Sequence, residues 1–406
     1  MKKVLKKLIV LCLCLFLMTG CDLKEIIKEL LAATSTSSSQ QIGGENNEGC
    51  AVYSTLDVLV EEQGVSLLSS KSELEQVFDK VDESTFMATA CYMVSGTRYE
   101  RLASGFIIKK EVLEDAYKYY LVSSASKLFY RGTENGSTVV NRTPEYVEVV
   151  FGNYKRYYAK VEGYYERLDI VILSIETKDE FTPLTLGDSD NLILGDDVYS
   201  MGTPEIGISL LNTMIKGHIS KLNASSNLYY NDEQIATYIT HQFDAPTNYG
   251  MEGGPVFLEN GDVVGILTYK FAAADEYESL SRFIPINNVK NCLEALTSKK
   301  EYAIPTVGIQ VIDLYNAVAL YGVTWTDSID LFEGCYIDEV VAGGAAEKAG
   351  ITADSVIVGA YLNDEYFEVK GSNYISIILT RYKQGDTLKV EVQYQDTKKV
   401  HVIFGD

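Results

Sequence analysis

The segment TNYGMEGGPVF, residues 247–257, has the form of a turn that presents a reactive side chain. One polar residue, Glu252, stands between glycines directly before the sequence Gly-Gly-Pro, and a glycine-framed turn of this kind usually exposes a nucleophile. A carboxylate is a poor nucleophile for acyl transfer, because it is a weak base and its charge would sit where the oxyanion should form. The residue type therefore conflicts with the chemistry that its surroundings predict.

Two other segments carry polar residues that could share a site with Glu252. LDIVIL contains Asp169, and LVSSASKL contains Ser126 and Lys127. Two facing carboxylates, with Ser126 between them, could hold a cation or act as an acid–base pair, but we identify no third ligand and predict no metal. Ser126 and Lys127 also suggest a Ser-Lys dyad, which two adjacent residues of a strand would not form because they point to opposite faces.

The elements that position these residues are short strands. Between residues 82 and 290, short runs that are either wholly apolar or alternate apolar with polar residues are separated by turn residues. This pattern predicts a β-sandwich or two small β-barrels. INNVKNCLEALTSK then closes the region as an amphipathic helix. Before it, residues 49–81 form a lead-in whose apolar positions have helical spacing, with Ser70 and Ser72 as possible N-caps.

Eight ordered blocks in this region resemble the HtrA (Deg) family of trypsin-like serine proteases. They are SGFII, LVSSASKL, LDIVIL, PLTLGDSDNLILGDDVYSMGTP, KGHIS, FDAPTNYGMEGGPVF, DVVGILT and FIPINNVKNCLEAL. The resemblance implies a mainly β fold, with two Greek-key β-barrels over residues 82–298 and the active site in the cleft between them. In that family an aspartate orients a histidine base, the base activates a serine, and backbone amides bind the oxyanion.

Two of the three catalytic positions depart from the family pattern. The register places Ser126 at the histidine position, Asp169 at the aspartate position and Glu252 at the serine position, with Gly250, Met251 and Glu252 as the oxyanion loop. The family order also requires the histidine to precede the aspartate, whereas every histidine of this chain follows Asp169: His218, His241 and His401. The resemblance therefore implies the fold without its usual chemistry.

Residues 301–406 resemble a PDZ domain, an α+β fold that HtrA proteins carry after the barrels. The resemblance is carried by TVGIQV, by GCYIDEVVAGGAAEKAGITADSVIVGA and by NYISIILTRYKQGDTLKVEVQY. It implies binding of a peptide C-terminus beside an open strand, with a carboxylate loop and strand start at Thr306, Val307, Gly308 and Ile309. Three residues at helical spacing would either line the side-chain pocket or belong to the core: Ile375, Ile378 and Leu379.

The N-terminus predicts export and lipid anchoring. A basic start and a short apolar run precede Met18-Thr19-Gly20-Cys21, which resembles a bacterial lipobox, so residues 1–20 would be a signal peptide and Cys21 the lipidated residue. Residues 21–48 have the composition of a flexible tether. The chain would then be attached to the outer face of the cytoplasmic membrane. The remaining cysteines lack metal-ligand spacing, and we predict no pairing among them: Cys50, Cys91, Cys292 and Cys335.

Composition limits the function further. The chain has 406 residues and a formal net charge of −22, which argues against a nucleic-acid partner because phosphate binding relies on clustered Lys and Arg. We expect no cofactor. The sequence favours a membrane-anchored pseudoprotease that binds peptide C-termini or unfolded exported proteins as an adaptor or regulator of protein quality control. The alternatives are an active serine endopeptidase with an atypical site and, more remotely, a carboxylate-pair or metal site at Asp169 and Glu252. The family resemblance also suggests a homotrimer.

Overall fold

The described part of the chain begins within the predicted lead-in. A computed structural model describes residues 72–134, 137–230, 233–268, 280–323 and 333–404. All of these lie in a unit spanning Ser70–Asp406. The predicted signal peptide, Cys21, the tether and Cys50 fall outside the described residues.

The first helix, α1 (Glu73–Ser84), joins the two barrels that follow it. Ser72 forms a capping box with Glu75, as its position before the helix predicted. Phe78 packs its ring against Tyr199, with ring centroids 5.1 Å apart. The helix continues past residue 81, the predicted end of the lead-in, and reaches the start of the first strand.

Six strands close the first barrel in the order β1-β2-β3-β8-β7-β6, and β4 pairs with β5 in a separate hairpin. Alternating or continuous apolar runs form these strands, and their inward side chains build an aromatic and aliphatic core. A one-turn helix, α2 (Ala125–Leu128), follows β3. The strands are β1 (Thr85–Val94), β2 (Thr97–Val112), β3 (Tyr117–Ser124), β4 (Tyr130–Glu134), β5 (Ser137–Arg142), β6 (Tyr146–Phe151), β7 (Arg156–Tyr165) and β8 (Ile170–Thr177).

The second barrel closes in the order β10-β11-β14-β13-β12-β9. The predicted helix after it is α3 (Ile286–Thr297), whose buried face belongs to the core shared with both barrels. The strands are β9 (Asp197–Gly202), β10 (Thr213–Tyr230), β11 (Glu233–Phe243), β12 (Pro255–Phe257), β13 (Val263–Leu267) and β14 (Ser281–Pro285). The expected mainly β, two-barrel fold is thus confirmed.

A buried asparagine links the two barrels near the end of α1. The Nδ2 of Asn212, in the loop before β10, donates to the carbonyl oxygens of Asp82 and Thr85 at 3.0 and 3.1 Å. It also donates to the Asp82 carboxylate at 2.9 Å. These contacts tie the loop before β10 in the second barrel to the junction of α1 and β1.

In its described residues, 301–323 and 333–404, the C-terminal region is a six-stranded antiparallel sheet with three helices. The order is β15-β16-β17-β19-β20, and β18 pairs with β17 outside that path, so β15 lies at an edge. The strands are β15 (Ile309–Asp313), β16 (Cys335–Val340), β17 (Val356–Leu362), β18 (Glu365–Glu368), β19 (Leu388–Tyr394) and β20 (Thr397–Phe404). The helices are α4 (Leu314–Tyr321), α5 (Ala345–Lys348) and α6 (Asn373–Arg381).

Helix α6 attaches the C-terminal sheet to the second barrel. Arg381, its last residue, donates to both carboxylate oxygens of Asp190 at 2.6 and 2.7 Å. Asn291 of α3 donates to the Arg381 carbonyl at 2.6 Å, which pairs a carbonyl that the helix end would otherwise leave free. The end of α6 is therefore one of the contacts that attach the C-terminal sheet to the barrels.

Two further features bear on the N-terminal predictions. Within the described ranges, no helix has the length and apolar character needed to cross a membrane. Cys91, Cys292 and Cys335 carry free thiols and are buried. Burial raises the pKa of the Cys292 thiol well above its ordinary value, so this thiol behaves as a core side chain.

Candidate active site

Asp169 lies at the centre of the cleft side of the first barrel. It follows a 3-10 turn, Glu166–Leu168, takes the left-handed conformation with φ 55°, and is almost completely buried. Its carboxylate accepts from the backbone amide of Ser126 at 2.6 Å and from the hydroxyl of Ser124 at 2.9 Å. The position that would orient a histidine is therefore retained, and serines take up its hydrogen-bonding capacity.

Ser126 lies where the register placed it, beside Asp169, but not in a strand. It belongs to the one-turn helix α2, and its hydroxyl lies 3.2 Å from the hydroxyl of Ser124. Ser126 and Lys127 are thus neighbours on a helical turn, so the prediction that they point to opposite faces of a strand was wrong. Neither serine hydroxyl can accept a proton near neutral pH as an imidazole does, so the general base is missing.

Contacts between the barrels shape the oxyanion loop. Ser104 of the first barrel donates its amide to the Glu252 carbonyl and its hydroxyl to the Gly250 carbonyl, both at 2.8 Å. Gly253 has φ 88°, and a Cβ there would lie 2.3 Å from the Ser104 carbonyl oxygen. Glycine is required at 253 because the two barrels approach so closely there.

The side chain of Glu252 folds back onto this loop. Its Oε2 accepts from the amide of Gly250 at 2.7 Å, and its Oε1 lies 3.1 Å from Nζ of Lys127. The Lys127 ammonium also lies 4.7 Å from the ring centroid of Tyr249. The carboxylate therefore takes the hydrogen bond of an amide that the resemblance assigns to the oxyanion. A cation from the first barrel balances the charge of this carboxylate.

This ion pair is withdrawn from solvent. Glu252 is 2% exposed, and the Lys127 side chain is 11% exposed. Burial raises the pKa of the Glu252 carboxyl above its ordinary value, while Lys127 and the amides of Glu252 and Gly250 oppose that rise. Glu252 and Asp169 do not form the carboxylate pair considered from the sequence, because each carboxylate is held by its own partners.

The described residues give no support to a metal at this site. They include no group of three or more His, Cys, Asp or Glu side chains arranged to hold a metal ion. All three histidines lie in strands, His401 in β20. His218 is an exposed residue of β10 beside Asp197 and Asp244, and His241 is a buried residue of β11.

The predicted peptide site of the C-terminal region is partly assembled. Val307 is buried, Thr306 is exposed, and Ile309 begins the edge strand β15. Gly308 has φ 79°, and its carbonyl accepts from the amide of Val341 at 2.9 Å. The three helix residues are buried members of the same core cluster as Val307: Ile375, Ile378 and Leu379. Burial agrees with both interpretations left open for them, core packing and lining of a side-chain pocket, so both stay predictions.

Two residues that complete the site were missed by sequence reasoning. Lys127 was considered only as a partner of Ser126, and Ser104 was not considered as a site residue. A buried carboxylate in a glycine-framed loop requires a cation, and that requirement is the signal that could have prompted a search for Lys127. Nothing in the local sequence pairs residue 127 with residue 252.

Comparisons with known proteins agree with this geometry. Residues 103–266 match the family model described as a trypsin-like peptidase domain. The chain is 31% identical over 236 residues to the serine protease Do-like HtrA of Bacillus subtilis, covering 58% of this chain and 51% of that protein. It is 30% identical over 241 residues to the human serine protease HTRA4, covering 56% of this chain and 48% of that protein. The chain spans about half the length of these curated relatives.

Solved structures resemble the chain in fold. The HtrA-type protease AlgW with decapeptide superposes with a TM-score of 0.57 at 18% sequence identity, over 81% of this chain and 97% of that one. The HtrA-type protease AlgW with tripeptide superposes with a TM-score of 0.55 at 20% sequence identity, over 81% of this chain and 95% of that one. The two-barrel part of this chain therefore has a trypsin-like fold, and its sequence is similar to those of HtrA-type serine proteases.

Proposed function

We propose that this chain is a pseudoprotease, an HtrA-like protein that binds polypeptides without cleaving them. One observation carries the proposal: the Glu252 carboxylate lies on the Gly250 amide and pairs with Lys127, in the place where a protease holds its nucleophile and oxyanion site. A substrate carbonyl would have to displace a buried ion pair to reach that amide. Breaking that ion pair would be unfavourable, because removing one partner of a buried pair typically costs about 3–5 kcal/mol.

The absence of a base supports the same proposal. Asp169 is in place, but Ser124 and Ser126 occupy its hydrogen-bonding positions, and His218 and His241 belong to strands of the second barrel. General-base catalysis needs a group with a pKa near the working pH beside the nucleophile. The described site offers neither such a base nor a hydroxyl at position 252.

Binding would fall to the C-terminal region, which we propose is a PDZ domain. Its edge strand β15, the positive φ of Gly308 and the buried helix α6 beside the same core support that assignment. An extended peptide would add a strand to β15, and its terminal carboxylate would meet the amides of the Thr306–Ile309 loop. The ligands would be free C-termini or exposed segments of unfolded exported proteins.

The predicted lipid anchor would place this binding function at the membrane. Cys21 and residues 1–48 lie outside the described residues, so export, lipidation and attachment to the outer face of the cytoplasmic membrane remain proposals. A binding protein anchored at that face would be placed to act as an adaptor or regulator in the quality control of exported proteins. Assembly into a trimer also remains a prediction.

The test is cleavage of a fluorescently labelled unfolded casein by the purified full-length chain, with Asp169→Ala as the matched control. We expect no cleavage above that control, because neither protein has a base or a serine nucleophile at the site. Cleavage that Asp169→Ala abolishes would support the alternative, an active endopeptidase with an atypical site, and would overturn the pseudoprotease proposal. Cleavage that persists in the variant would identify a contaminating protease.

A further inference from the structure

The Lys127–Glu252 pair has the components of an acyl-transfer site. Lys127 contributes a primary amine, and Glu252 contributes a carboxyl carbon whose Oε2 accepts the Gly250 amide at 2.7 Å. The amine nitrogen lies 3.1 Å from Oε1 of the same carboxylate. The amine and the polarising amide therefore both lie within hydrogen-bond distance of the same carboxyl group, one on each oxygen.

We propose that Lys127 and Glu252 form an intramolecular isopeptide bond that joins the two barrels covalently across the closed cleft. This inference goes beyond the pseudoprotease proposal. An ion pair alone would close the cleft reversibly, whereas an amide bond between these side chains would close it permanently.

The reaction needs no partner and no oxidant. One proton moves from Nζ to Oε1, which converts the ion pair into an amine and a carboxylic acid. The nitrogen lone pair adds to Cδ, and the carbonyl electron pair moves onto Oε2, where the Gly250 amide stabilises the charge. The carbonyl re-forms as the Cδ–Oε1 bond breaks, and Oε1 takes a second proton from nitrogen and leaves as water. The product is one amide and one water.

Burial favours the neutral reactants and the product. Two charges in a low-dielectric site are costly, and transfer of a proton within the pair removes the separation of charge. Burial also raises the pKa of the Glu252 carboxyl, which favours its acid form. The same enclosure limits the access of water, which would otherwise compete for the carboxyl carbon.

A second buried pair shows what distinguishes this one. Lys118 lies 2.8 Å from Glu162, with both side chains nearly as buried as those of Lys127 and Glu252. The other donors to Glu162 are side chains: it accepts from the hydroxyl of Ser174 at 2.7 Å, and Lys299 lies 3.8 Å away. Lacking an oxyanion-type amide, this pair is expected to stay ionic, and it serves as an internal control.

The methionines of the chain allow a direct test. Cyanogen bromide cuts after methionine, and Met201 and Met214 separate Lys127 from Met251, which directly precedes Glu252. Cleavage of the denatured, reduced full-length chain therefore gives one fragment of residues 94–201 and another of residues 252–406. With the bond, these two fragments remain joined in gels and by mass spectrometry, and the intact chain is lighter by one water.

Lys127→Arg is the matched control, because a guanidinium keeps the ion pair but is not an effective nucleophile. We expect separate fragments from this variant and joined fragments from at least part of the wild-type chain. Tryptic mapping should find the amide between Lys127 and Glu252 and none between Lys118 and Glu162.

Separate fragments from the wild-type chain, at full unmodified mass, would overturn the isopeptide bond. Joined fragments from Lys127→Arg would overturn it as well, because the link would then involve another residue. Neither result bears on the pseudoprotease proposal. The casein experiment tests that proposal, because it measures hydrolysis and not the bond.

Discussion

At the scale of single residues, the decisive substitution is glutamate at position 252. A serine there would leave its hydroxyl free in the cleft, whereas Glu252 brings a charge that cannot be buried alone. Lys127 supplies the opposite charge at 3.1 Å, and the Gly250 amide supplies a hydrogen bond at 2.7 Å. The carboxylate is therefore a structural part of the loop, and the loop keeps its shape without a substrate.

Removal of the cation should expose how much Glu252 depends on it. Lys127→Met leaves a buried carboxylate without its counter-charge, so we expect its free energy of unfolding to lie about 3–5 kcal/mol below that of Lys127→Arg, which keeps the ion pair and cannot form the amide. The double variant Lys127→Met with Glu252→Gln carries no buried charge and should recover most of that loss. Urea denaturation at neutral pH measures the free energy of unfolding of the single and the double variant. Neither variant can form the proposed amide. Equal stability of the single and double variants would contradict the argument.

At the scale of elements, the contact between α6 and the second barrel encloses a buried histidine. His241 of β11 lines a cavity of about 310 Å³ together with Asp190, Arg381 and residues of β18. Its Nδ1 accepts from the amide of Asn223 at 3.1 Å. Burial lowers the pKa of His241 from 6.5 to about 4, with Arg381 opposing protonation and Asp190 favouring it.

This shift predicts a loss of stability in acid. In the unfolded chain His241 binds a proton near pH 6.5, while the folded protein resists protonation until about pH 4. The contribution to stability is therefore complete above pH 6.5 and decreases as the pH falls toward 4, by at most roughly 3 kcal/mol.

The variant His241→Gln should flatten this acid limb of the unfolding free energy, as measured by urea denaturation between pH 7 and about pH 4. His218→Gln is the matched control, because the His218 ring is largely solvent-exposed, and it should keep the wild-type limb. Identical acid limbs in the wild type and His241→Gln would show that His241 does not contribute to this pH dependence.

At the scale of the whole molecule, the closed cleft and the proposed peptide site belong to different sheets. The cleft lies between the barrels, whereas the Thr306–Ile309 loop begins the edge strand of the C-terminal sheet. The C-terminal sheet meets the barrels through α6, by the bidentate contact of Arg381 with Asp190. Peptide binding therefore needs no part of the site at Glu252.

Substitution at Gly308 should weaken peptide binding without involving the site at Glu252. A Cβ at this residue would lie 3.1 Å from the Cα of Gly344, and φ is 79°, so Gly308→Val strains the loop. We expect the variant to bind a labelled peptide with a free C-terminus at least about tenfold more weakly in fluorescence anisotropy. Glu252→Gln should bind as the wild type does.

Gly350→Val is the control for backbone strain, because Gly350 has φ 77° and open space around its Cα. It should retain peptide affinity. Equal binding by Gly308→Val and Gly350→Val would argue against the Thr306–Ile309 loop as the carboxylate site, and tight binding of an amidated peptide would argue against recognition of a terminus.

The sequence by itself determined the strands and the residue types at positions 126, 169 and 252. Apolar alternation is a local property, so runs such as residues 146–151 and 170–177 could be assigned as strands without a structure. Residue identity is also local, so the serine at 126, the glutamate at 252 and the lack of an early histidine were evident at once. The N-cap at Ser72 followed from the same kind of short-range pattern.

Only the tertiary structure decided what these residues do. Lys127 and Glu252 lie far apart in the chain and meet because the two barrels close on each other, and Ser104 reaches the oxyanion loop for the same reason. The sequence suggested a glutamate paired with Asp169, whereas the fold buries Glu252 beside a lysine. Burial and ion pairing depend on the distance between side chains on different barrels, and no local pattern encodes that distance.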